Sequence, residues 1–240
     1  MTSNRAANIV AIEASAERCS VALAHDGSVH GSRADLANRR GESLPQMVWQ
    51  LLNEQGVDLV AIDAFAFAAG PGGFTGLRVA CAFAQGLAFG CDRPVIAINS
   101  LRALAHMAGA DPGVRLLSAI DARMGQIYWC VFEGGSGGPR ALAAPALADP
   151  GDLADLVERW RPGLIAGDAL TAFEGSWPAG GAALRLPRIR VDAAAVAQLA
   201  CLDWADGLAC AARDAAPEYV RDQVAMTVEQ RRAVARATGR

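Results

Sequence analysis

Short apolar segments and amphipathic segments alternate along the first hundred residues. Positions 8–12 and 61–68 are mainly apolar runs, which are typical of buried strands. Residues 19–25 and 28–34 flank Asp26-Gly27, a dipeptide that favours a two-residue hairpin turn. These four segments are therefore predicted to be strands, and the first three form a meander.

Helical segments separate the later strands of this first unit. Apolar residues recur at the spacing of an amphipathic helix before Gly56, namely at Leu44, Met47, Val48, Leu51 and Leu52. A second helix is predicted at 74–90, a strand at 95–98 and a third helix at 100–107 with Ser100 as its N-cap. The order β, β, β, α, β, α, β, α implies a mixed sheet covered on both faces.

A similar order begins again after residue 110. Strands are predicted at 115–122 and 126–133, followed by a glycine-rich turn at 134–138. The remaining predicted elements are a strand at 140–143, a helix at 153–160, a strand at 164–166 and a helix at 191–212 with Asp192 as its N-cap.

Duplication of this kind is the architecture of the actin-like ATPase superfamily, whose two lobes resemble ribonuclease H. The chain is therefore predicted to be an α/β protein of two ribonuclease H-like lobes, each a mixed sheet flanked by helices. We expect the lobes at 1–110 and 111–213. A tail at 214–240 is expected either to pack back on the fold or to be partly disordered.

Composition changes this picture mainly through the residues that the chain lacks. All 22 basic residues are arginine, so no lysine is available for a P-loop, a Schiff base or a Ser–Lys nucleophile pair. His25, His30 and His106 do not stand at the helical spacing of metal ligands, and the six cysteines include no Cys-x-x-Cys pair. We therefore expect no metal site, mostly buried cysteines and no catalytic group.

Charge and hydropathy indicate where in the cell the protein is expected and which partners it can bind. The net charge of −3 gives no overall basic surface for binding nucleic acid alone. No secretory signal is visible, and no stretch approaches the roughly 18 uninterrupted apolar residues of a membrane span, so we expect a cytoplasmic protein. The arginine-rich end at 227–240 either contacts nucleic-acid phosphates or is a frayed, solvated helix, and the second alternative is favoured.

The strongest local signal is the run 69–78, Ala-Gly-Pro-Gly-Gly-Phe-Thr-Gly-Leu-Arg. It follows a buried strand and opens a helix, where free backbone N–H groups can hold an anion. The candidate phosphate contacts are Gly72, Gly73 and Thr75, with Glu13 and Ser15 near the first strand. Thr75 is also a candidate N-cap. The alternative, slightly favoured because lysine is absent, is a turn that needs glycine for its geometry only.

The helix that follows this run is unusual because it is apolar on every side. Between 74 and 89 only Thr75, Arg78 and Gln85 are polar, and many of the other residues are small. One side of such a helix packs on the sheet. The other side either lies under another element of the chain or faces a second protein, and the pattern leaves both alternatives open.

Several of these segments resemble, in order and spacing, motifs of the TsaB (YeaZ) family. The run 70–78 is similar to the family's Gly-Pro-Gly-Ser-Phe-Thr-Gly-hydrophobic-Arg signature. The opening hairpin at 9–23, the segments 85–88 and 121–128, and Pro217-Glu218-Tyr219-Val220-Arg221 with 224–225 also resemble that family. The similarity extends over nearly the whole chain.

The resemblance implies a non-catalytic partner of TsaD, the enzyme that places a threonylcarbamoyl group on the adenosine next to the tRNA anticodon. It further implies that the ATPase TsaE joins the complex, that a homodimer forms through the same surface, and that tRNA is reached through the complex. No tightly bound cofactor is implied, with ATP or ADP placed at the interface of the complex. Carried over by position, the interface residues are Leu44, Met47, Val48, Leu51, Phe74, Arg78, Ala82 and Gln85.

The chain also departs from the pattern of its relatives. The first strand ends in Ile12-Glu13-Ala14 instead of the usual Ile-Asp-Thr, which weakens the case for nucleotide hydrolysis. The His-x-x-x-His pair of TsaD is absent, and the equivalent helix offers Glu42 and Ser43. Two alternative functions stay open at this point: an ATP-dependent transferase of the actin-like superfamily and, less well supported, a glycoprotease-like peptidase, for which no Ser/His/Asp or Cys/His set is visible.

Overall fold

Two β-sheets of the same strand order organise the chain. The computed structural model describes residues 6–16, 19–34 and 40–221. The elements of the first half are β1 (Ile9–Glu13), β2 (Cys19–His25), β3 (Ser28–Ala34), α1 (Arg40–Gln55), β4 (Ala64–Gly70), α2 (Phe74–Cys91), β5 (Val95–Asn99) and α3 (Ser100–Ala108). Those of the second half are β6 (Arg115–Arg123), β7 (Gln126–Glu133), β8 (Arg140–Ala141), β9 (Ala146–Ala148), α4 (Leu153–Trp160), β10 (Leu164–Ala166), α5 (Ala169–Ala172), β11 (Leu184–Leu186) and α6 (Ala193–Ala205).

The strand order is the same in the two sheets when each is counted from its own first strand. In the first sheet the order is β3-β2-β1-β4-β5, with an antiparallel meander to which β4 and β5 are added in parallel. In the second sheet the order β11-β10-β6-β7-β8 repeats this arrangement, and β9 also pairs with β7. The predicted fold class, an α/β protein of two ribonuclease H-like lobes with a mixed sheet flanked by helices in each, is confirmed.

Successive side chains of β4 point to opposite faces of the first sheet, and both faces are buried. Phe65 and Phe67 point into the core formed with α1 and α2. Ala66 and Ala68 point to the opposite face, where the alanine-rich α6 packs. Each fully buried phenylalanine contributes roughly 1.5–3 kcal/mol, while the small residues on the other face allow α6 to approach the sheet closely.

Helix α3 belongs to the cores of both lobes. Its Ala103 is part of the core beneath α6, whereas Leu101 and Leu104 pack with residues of the second sheet such as Phe132. Ser118 of β6 donates a hydrogen bond from Oγ to the Leu101 carbonyl at 2.9 Å. The two lobes therefore share an apolar interface at the base of the cleft between them.

The chain returns to the first lobe after the second sheet, and this corrects the predicted lobe boundary at 213. Helix α6 packs on the first sheet, and Cys210 then forms an antiparallel bridge with Val95 of β5. The helix is also shorter than the predicted 191–212, because it ends at Ala205 and Gly207 follows with a φ of +73°. Element order alone does not show which of two sheets a late apolar helix covers.

The helix caps differ from the prediction at one of two sites. Asp192 is the N-cap of α6, as predicted, and its side chain accepts a hydrogen bond from Ala194 N. At α3 the N-cap is Asn99, whose Oδ1 accepts from Leu101 N and Arg102 N. Ser100 is the first helical residue instead, so its side chain lies one position too late to cap the helix.

Smaller differences concern the second lobe and the cysteines. The predicted strand at 140–143 is replaced by two short strands, β8 and β9, and neither α5 nor β11 was predicted. The six cysteines all lie within the described residues and none of them forms a disulfide bond; three are buried and three half-buried. Four-residue helices and three-residue strands carry too few periodic positions to be recognised from sequence.

Candidate functional site

The glycine turn between β4 and α2, residues 70–73, packs directly against the end of the first strand. A Cβ atom at Gly72 would lie 2.8 Å from Ser15 Oγ, and one at Gly73 would lie 2.7 Å from Ser15 O. Real Cβ atoms do not approach other heavy atoms so closely. A side chain at Gly72 would meet the Ser15 side chain and one at Gly73 the Ser15 backbone, so close packing requires small residues at both positions.

The same requirement holds on either side of this turn. A Cβ atom at Gly76, in the first turn of α2, would overlap with the carbonyl oxygen of Ala14. Gly70 has a φ of +126°, and a Cβ atom there would meet the carbonyl oxygen of Glu218, which approaches from the C-terminal part of the chain. The glycines thus allow three backbone segments to meet at the start of α2.

Three hydrogen-bond donors beside the glycine turn make bonds within the chain. Ser15 donates to Glu13 Oε1 from its backbone N at 2.7 Å and from Oγ at 2.5 Å, and Gly73 N donates to Ser15 O at 3.1 Å. Thr75 does not cap α2, because the N-cap is Gly73 and Thr75 already lies inside the first turn. Of the two interpretations of the glycine run, this geometry favours a turn shaped by close packing.

Glu13 is buried beneath this turn and its ionisation is unfavourable. Removal from water raises the pKa of Glu13 from 4.5 to about 7; the hydrogen bonds from Ser15 lower it, and the negative charge of Asp192 adds to the increase. Oε2 has no hydrogen-bond partner within the described residues. Glu13 is therefore enclosed beneath the turn, whereas its partner Ser15 is half-buried.

An exposed stripe runs along the outer face of α2, and we call it the docking stripe. Phe74 is 40% exposed and Phe89 is 84% exposed, large values for phenylalanine. Successive members lie three or four positions apart, so they share one side of the helix. The docking stripe consists of Phe74, Arg78, Ala82, Gly86 and Phe89.

The structure separates the predicted interface residues into two groups. Phe74, Arg78 and Ala82 are exposed on the docking stripe, as an interface requires. The four predicted residues of α1 are instead part of the hydrophobic core, which contradicts their assignment: Leu44, Met47, Val48 and Leu51. An amphipathic helix turns its apolar face towards the sheet, so the residues that define its periodicity are the ones it buries.

Gln85 has a structural contact in place of the predicted interface role. It is half-buried, and its Nε2 donates to Ala212 O at 2.9 Å and to Ala215 O at 3.0 Å. Among the described large apolar residues of α1, Trp49 reaches the surface: it is 52% exposed and was not among the predicted interface residues. Two of its neighbours at helical spacing, Gln46 and Asn53, are polar and exposed, so Trp49 lies on the polar side of the helix.

Helix α2 is long and apolar enough to cross a membrane when judged by length and composition alone. It has 18 residues and a mean hydropathy of 1.2. In the fold it is the crossover between β4 and β5, and one third of it is buried. Its composition is thus that of a helix held against a sheet on one side and exposed on the other.

Residues 208–221 cross the first lobe beyond α6, and we call this segment the strap. Glu218 N donates to Ala69 O at 2.8 Å, and Glu218 Oε2 accepts from Asn99 Nδ2 at 2.7 Å. The strap therefore lies over the glycine turn on the side away from Ser15. The Pro-Glu-Tyr-Val-Arg motif of the strap was recognisable from sequence only through the family resemblance, and no predicted site residue lies in it.

The cleft between the lobes has a volume of about 1120 Å³. Both lobes line it, with the glycine turn and Tyr219 on one side and β6, Asp168 and Arg190 on the other. Arg190 Nε lies 3.8 Å from Asp168 Oδ2, so these two opposite charges face each other. The described part of the chain contains no group of three or more His, Cys, Asp or Glu residues that could hold a metal ion. The arginine-rich end at 227–240 lies outside the described residues.

Comparison with known proteins places this geometry in a family. The family model described as "TsaD: tRNA N6-adenosine threonylcarbamoyltransferase" matches residues 35–197. The Escherichia coli K12 "tRNA threonylcarbamoyladenosine biosynthesis protein TsaB" is 33% identical over 226 residues, which cover 90% of this chain and 96% of that protein. A Nitratidesulfovibrio vulgaris "tRNA N6-adenosine threonylcarbamoyltransferase" is 35% identical over 118 residues, 42% of this chain and 33% of that protein.

A solved structure agrees in its overall fold. The Pseudomonas aeruginosa protein described as having similarity to the peptidase YEAZ superposes with a TM-score of 0.81 at 35% identity, covering 90% of this chain and all of that one. The chain belongs to the TsaB (YeaZ) family of tRNA threonylcarbamoyladenosine biosynthesis proteins.

Proposed function

We propose that this chain is a non-catalytic subunit of a tRNA threonylcarbamoyl transferase complex and that it binds a TsaD-type transferase through the docking stripe. The observation that carries the proposal is the exposed apolar face of α2. Phe89 is 84% exposed on a helix whose opposite side is packed on the first sheet. Contiguous apolar surface of this kind is typical of a protein–protein interface.

The chemistry of the docking stripe favours a helix of another protein as its occupant. Ala82 and Gly86 are small, and nothing lies within 4 Å of a Cβ atom built at Gly86, so another backbone can approach closely. The single charge is Arg78, whose guanidinium lies 3.8 Å from the centroid of the Phe74 ring. The exposed indole of Trp49 on the neighbouring helix α1 adds further apolar area.

The rest of the assembly follows from family membership as further proposals. In the absence of the transferase, a second copy of this chain occupies the same stripe and forms a homodimer. A TsaE-type ATPase joins the complex, tRNA is reached through the transferase, and the complex works in the cytoplasm.

Nucleotide binding belongs, on this proposal, to the assembled complex. Three donors beside the glycine turn, Ser15 N, Ser15 Oγ and Gly73 N, already make bonds within the chain, which supports this proposal. ATP or ADP would therefore bind at the interface of the complex and not to the isolated chain. Isothermal titration of the isolated chain with millimolar ATP is expected to give no binding heat, and a saturable heat would contradict this part of the proposal.

The docking stripe is tested by placing a charge in its centre. Ala82→Arg puts a long cationic side chain between the exposed apolar residues and should reduce co-purification with the transferase by at least about tenfold, because a buried unpaired charge is costly. Ala154→Arg is the matched control, since Ala154 is also exposed on a helix but lies on α4. Equal co-purification by both variants would show that the stripe is not the interface.

The functional role is tested by reconstitution. Threonylcarbamoylation of tRNA by the purified transferase and ATPase should depend on this chain and should be lost with Ala82→Arg but retained with Ala154→Arg. Modification that proceeds at the same rate without the chain would refute the proposed role.

A further inference from the structure

We propose that the strap is a clasp that holds the cleft mouth closed and couples the β6–β7 hairpin of the second lobe to the docking stripe on α2. The strap reaches both structures within three residues. Tyr219 contacts the N-terminal end of the stripe, and Arg221 contacts the hairpin. Two residues of extended chain span at most about 7 Å, so a displacement at one end is transmitted to the other.

The first end of the clasp is an aromatic contact on the stripe itself. The rings of Tyr219 and Phe74 have centroids 5.6 Å apart and are tilted by 37°. Arg78 Nε donates to the Tyr219 hydroxyl at 3.1 Å while its guanidinium covers the Phe74 ring. Tyr219 therefore extends the docking stripe and fixes the conformations of its first two members.

The second end of the clasp is a set of contacts made by one guanidinium. Arg221 Nη2 donates to Gln126 Oε1 at 2.8 Å and, at 3.5 Å, to the carbonyl oxygen of Arg123. Arg221 Nη1 lies 3.3 Å from Met124 Sδ, and the guanidinium is 5.9 Å from the Tyr128 ring centroid. All four partners lie on or beside the β6–β7 turn, so Arg221 grips the hairpin from several directions.

The middle of the clasp is fixed to the first lobe. Glu218 bonds Ala69 of β4 through its backbone and Asn99 of β5 through its side chain. The hairpin that Arg221 reaches is itself held in a left-handed turn, with φ of +60° at Arg123 and +54° at Met124. Glu218 anchors the strap, and the turn at Arg123 and Met124 orders the hairpin. Because Arg221 links these two ordered segments, we expect loss of its contacts to loosen both of them.

The consequence is a thermodynamic coupling between docking and cleft closure. A partner that packs on Phe74 and Arg78 restrains Tyr219 and so favours the closed clasp, and by linkage a closed clasp favours docking by the same factor. This second half of the inference rests on the proposed function. The clasp itself is a property of the isolated chain and is tested on it first.

Hydrogen–deuterium exchange of the full chain measures the clasp directly. In Arg221→Ala, amide exchange is expected to rise about tenfold or more in the peptides covering the β6–β7 turn and Glu218, because a hydrogen-bonded charged group has been removed. Arg213→Ala is the control, since Arg213 is 87% exposed at its side chain and its ion-pair partner Asp214 lies beside it in sequence. Exchange that is unchanged in Arg221→Ala, or equally raised in Arg213→Ala, overturns the clasp.

A double-mutant cycle separates the clasp from a general loss of stability. Gln126→Ala should raise exchange in the same peptides by less than Arg221→Ala does, and the double variant should show less than the sum of the two effects, because both substitutions remove the same Arg221–Gln126 hydrogen bond. Additive effects of the two substitutions would mean that the residues act independently and would contradict the proposal.

Affinity for the transferase then tests the coupling. Although Arg221 lies outside the docking stripe, Arg221→Ala should weaken binding at least about fivefold, the lower end of common allosteric couplings. Raised exchange with unchanged affinity would refute the coupling and leave a purely internal clasp. If the wild-type chain does not bind the transferase at all, the proposed function fails, and the exchange measurement alone decides the clasp.

Discussion

Glutamine in place of Glu13 is expected to change how the stability of this protein depends on pH. The side chain is buried, and its pKa is about 7 compared with an ordinary value of 4.5. Glutamine has nearly the same shape and its Oε1 can accept both hydrogen bonds from Ser15, but it does not ionise. The variant therefore isolates the free energy of placing a charge at this position.

The direction of this pH dependence follows from whether the folded or the unfolded state binds the Glu13 proton more tightly. Between pH 4.5 and about 7 the folded protein keeps the Glu13 proton, whereas the unfolded chain has lost it. The stability contributed by the neutral carboxyl is therefore fully present below pH 4.5 and decreases as the pH rises to 7. Each pKa unit corresponds to about 1.4 kcal/mol, and the whole decrease is about 3 kcal/mol. Above pH 7 no further change from this group is expected.

Urea denaturation of both proteins from pH 4.5 to 8.5 measures this difference. The Glu13→Gln variant should be more stable than the wild type by about 3 kcal/mol at pH 8, and the two free energies of unfolding should converge towards pH 4.5. Glu158→Gln, an exposed substitution on α4, controls for the general effect of removing an acid. A stability difference that is constant across this pH range would show that Glu13 does not titrate between 4.5 and 7.

Two further predictions concern close packing and buried charge. Gly76→Ala should destabilise the fold by about 1–3 kcal/mol because its Cβ overlaps with the carbonyl oxygen of Ala14, whereas Gly86→Ala on the same helix should stabilise it by up to about 1 kcal/mol. Equal melting temperatures for these variants would contradict the packing of the glycine turn. Arg102→Ala should cost about 3–5 kcal/mol in chemical denaturation because it leaves the buried carboxylate of Asp203, bonded by Arg102 Nη1 at 2.8 Å, without its partner. Full stability in Arg102→Ala, or no recovery when Asp203 is also replaced by leucine, would refute that explanation.

Local pattern was sufficient for most elements of the fold. Alternation on either side of Asp26-Gly27 predicted a hairpin whose turn residues do have positive φ. Helical periodicity predicted α1, and both α1 and α2 were predicted within a few residues of their limits. These features depend on interactions between residues that are close in sequence. The repeated order of elements then predicted two lobes, because few sheet topologies accommodate that order.

Which residues of a helix are exposed, and which pack on the sheet, could not be predicted in the same way. For α1 the apolar periodicity identified Leu44, Met47, Val48 and Leu51, and the fold buries all four against the sheet. For α2 every side is apolar, so its sequence contains no signal for the side that packs on β4 and the side that carries Phe89. Only the position of the sheet decides which residues of an apolar helix are left exposed.

By itself, then, the sequence determined most of the longer strands and helices, the two-lobed architecture and the family to which the chain belongs. The tertiary structure decided that α6 and the strap return to the first lobe, that Glu13 is buried beneath the glycine turn, and that Arg221 meets the hairpin at Gln126. Most of those contacts join residues that are far apart in sequence; Gln126 and Arg221, for example, are separated by 95 positions. Their formation depends on how two sheets and a shared helix pack, which no local pattern records.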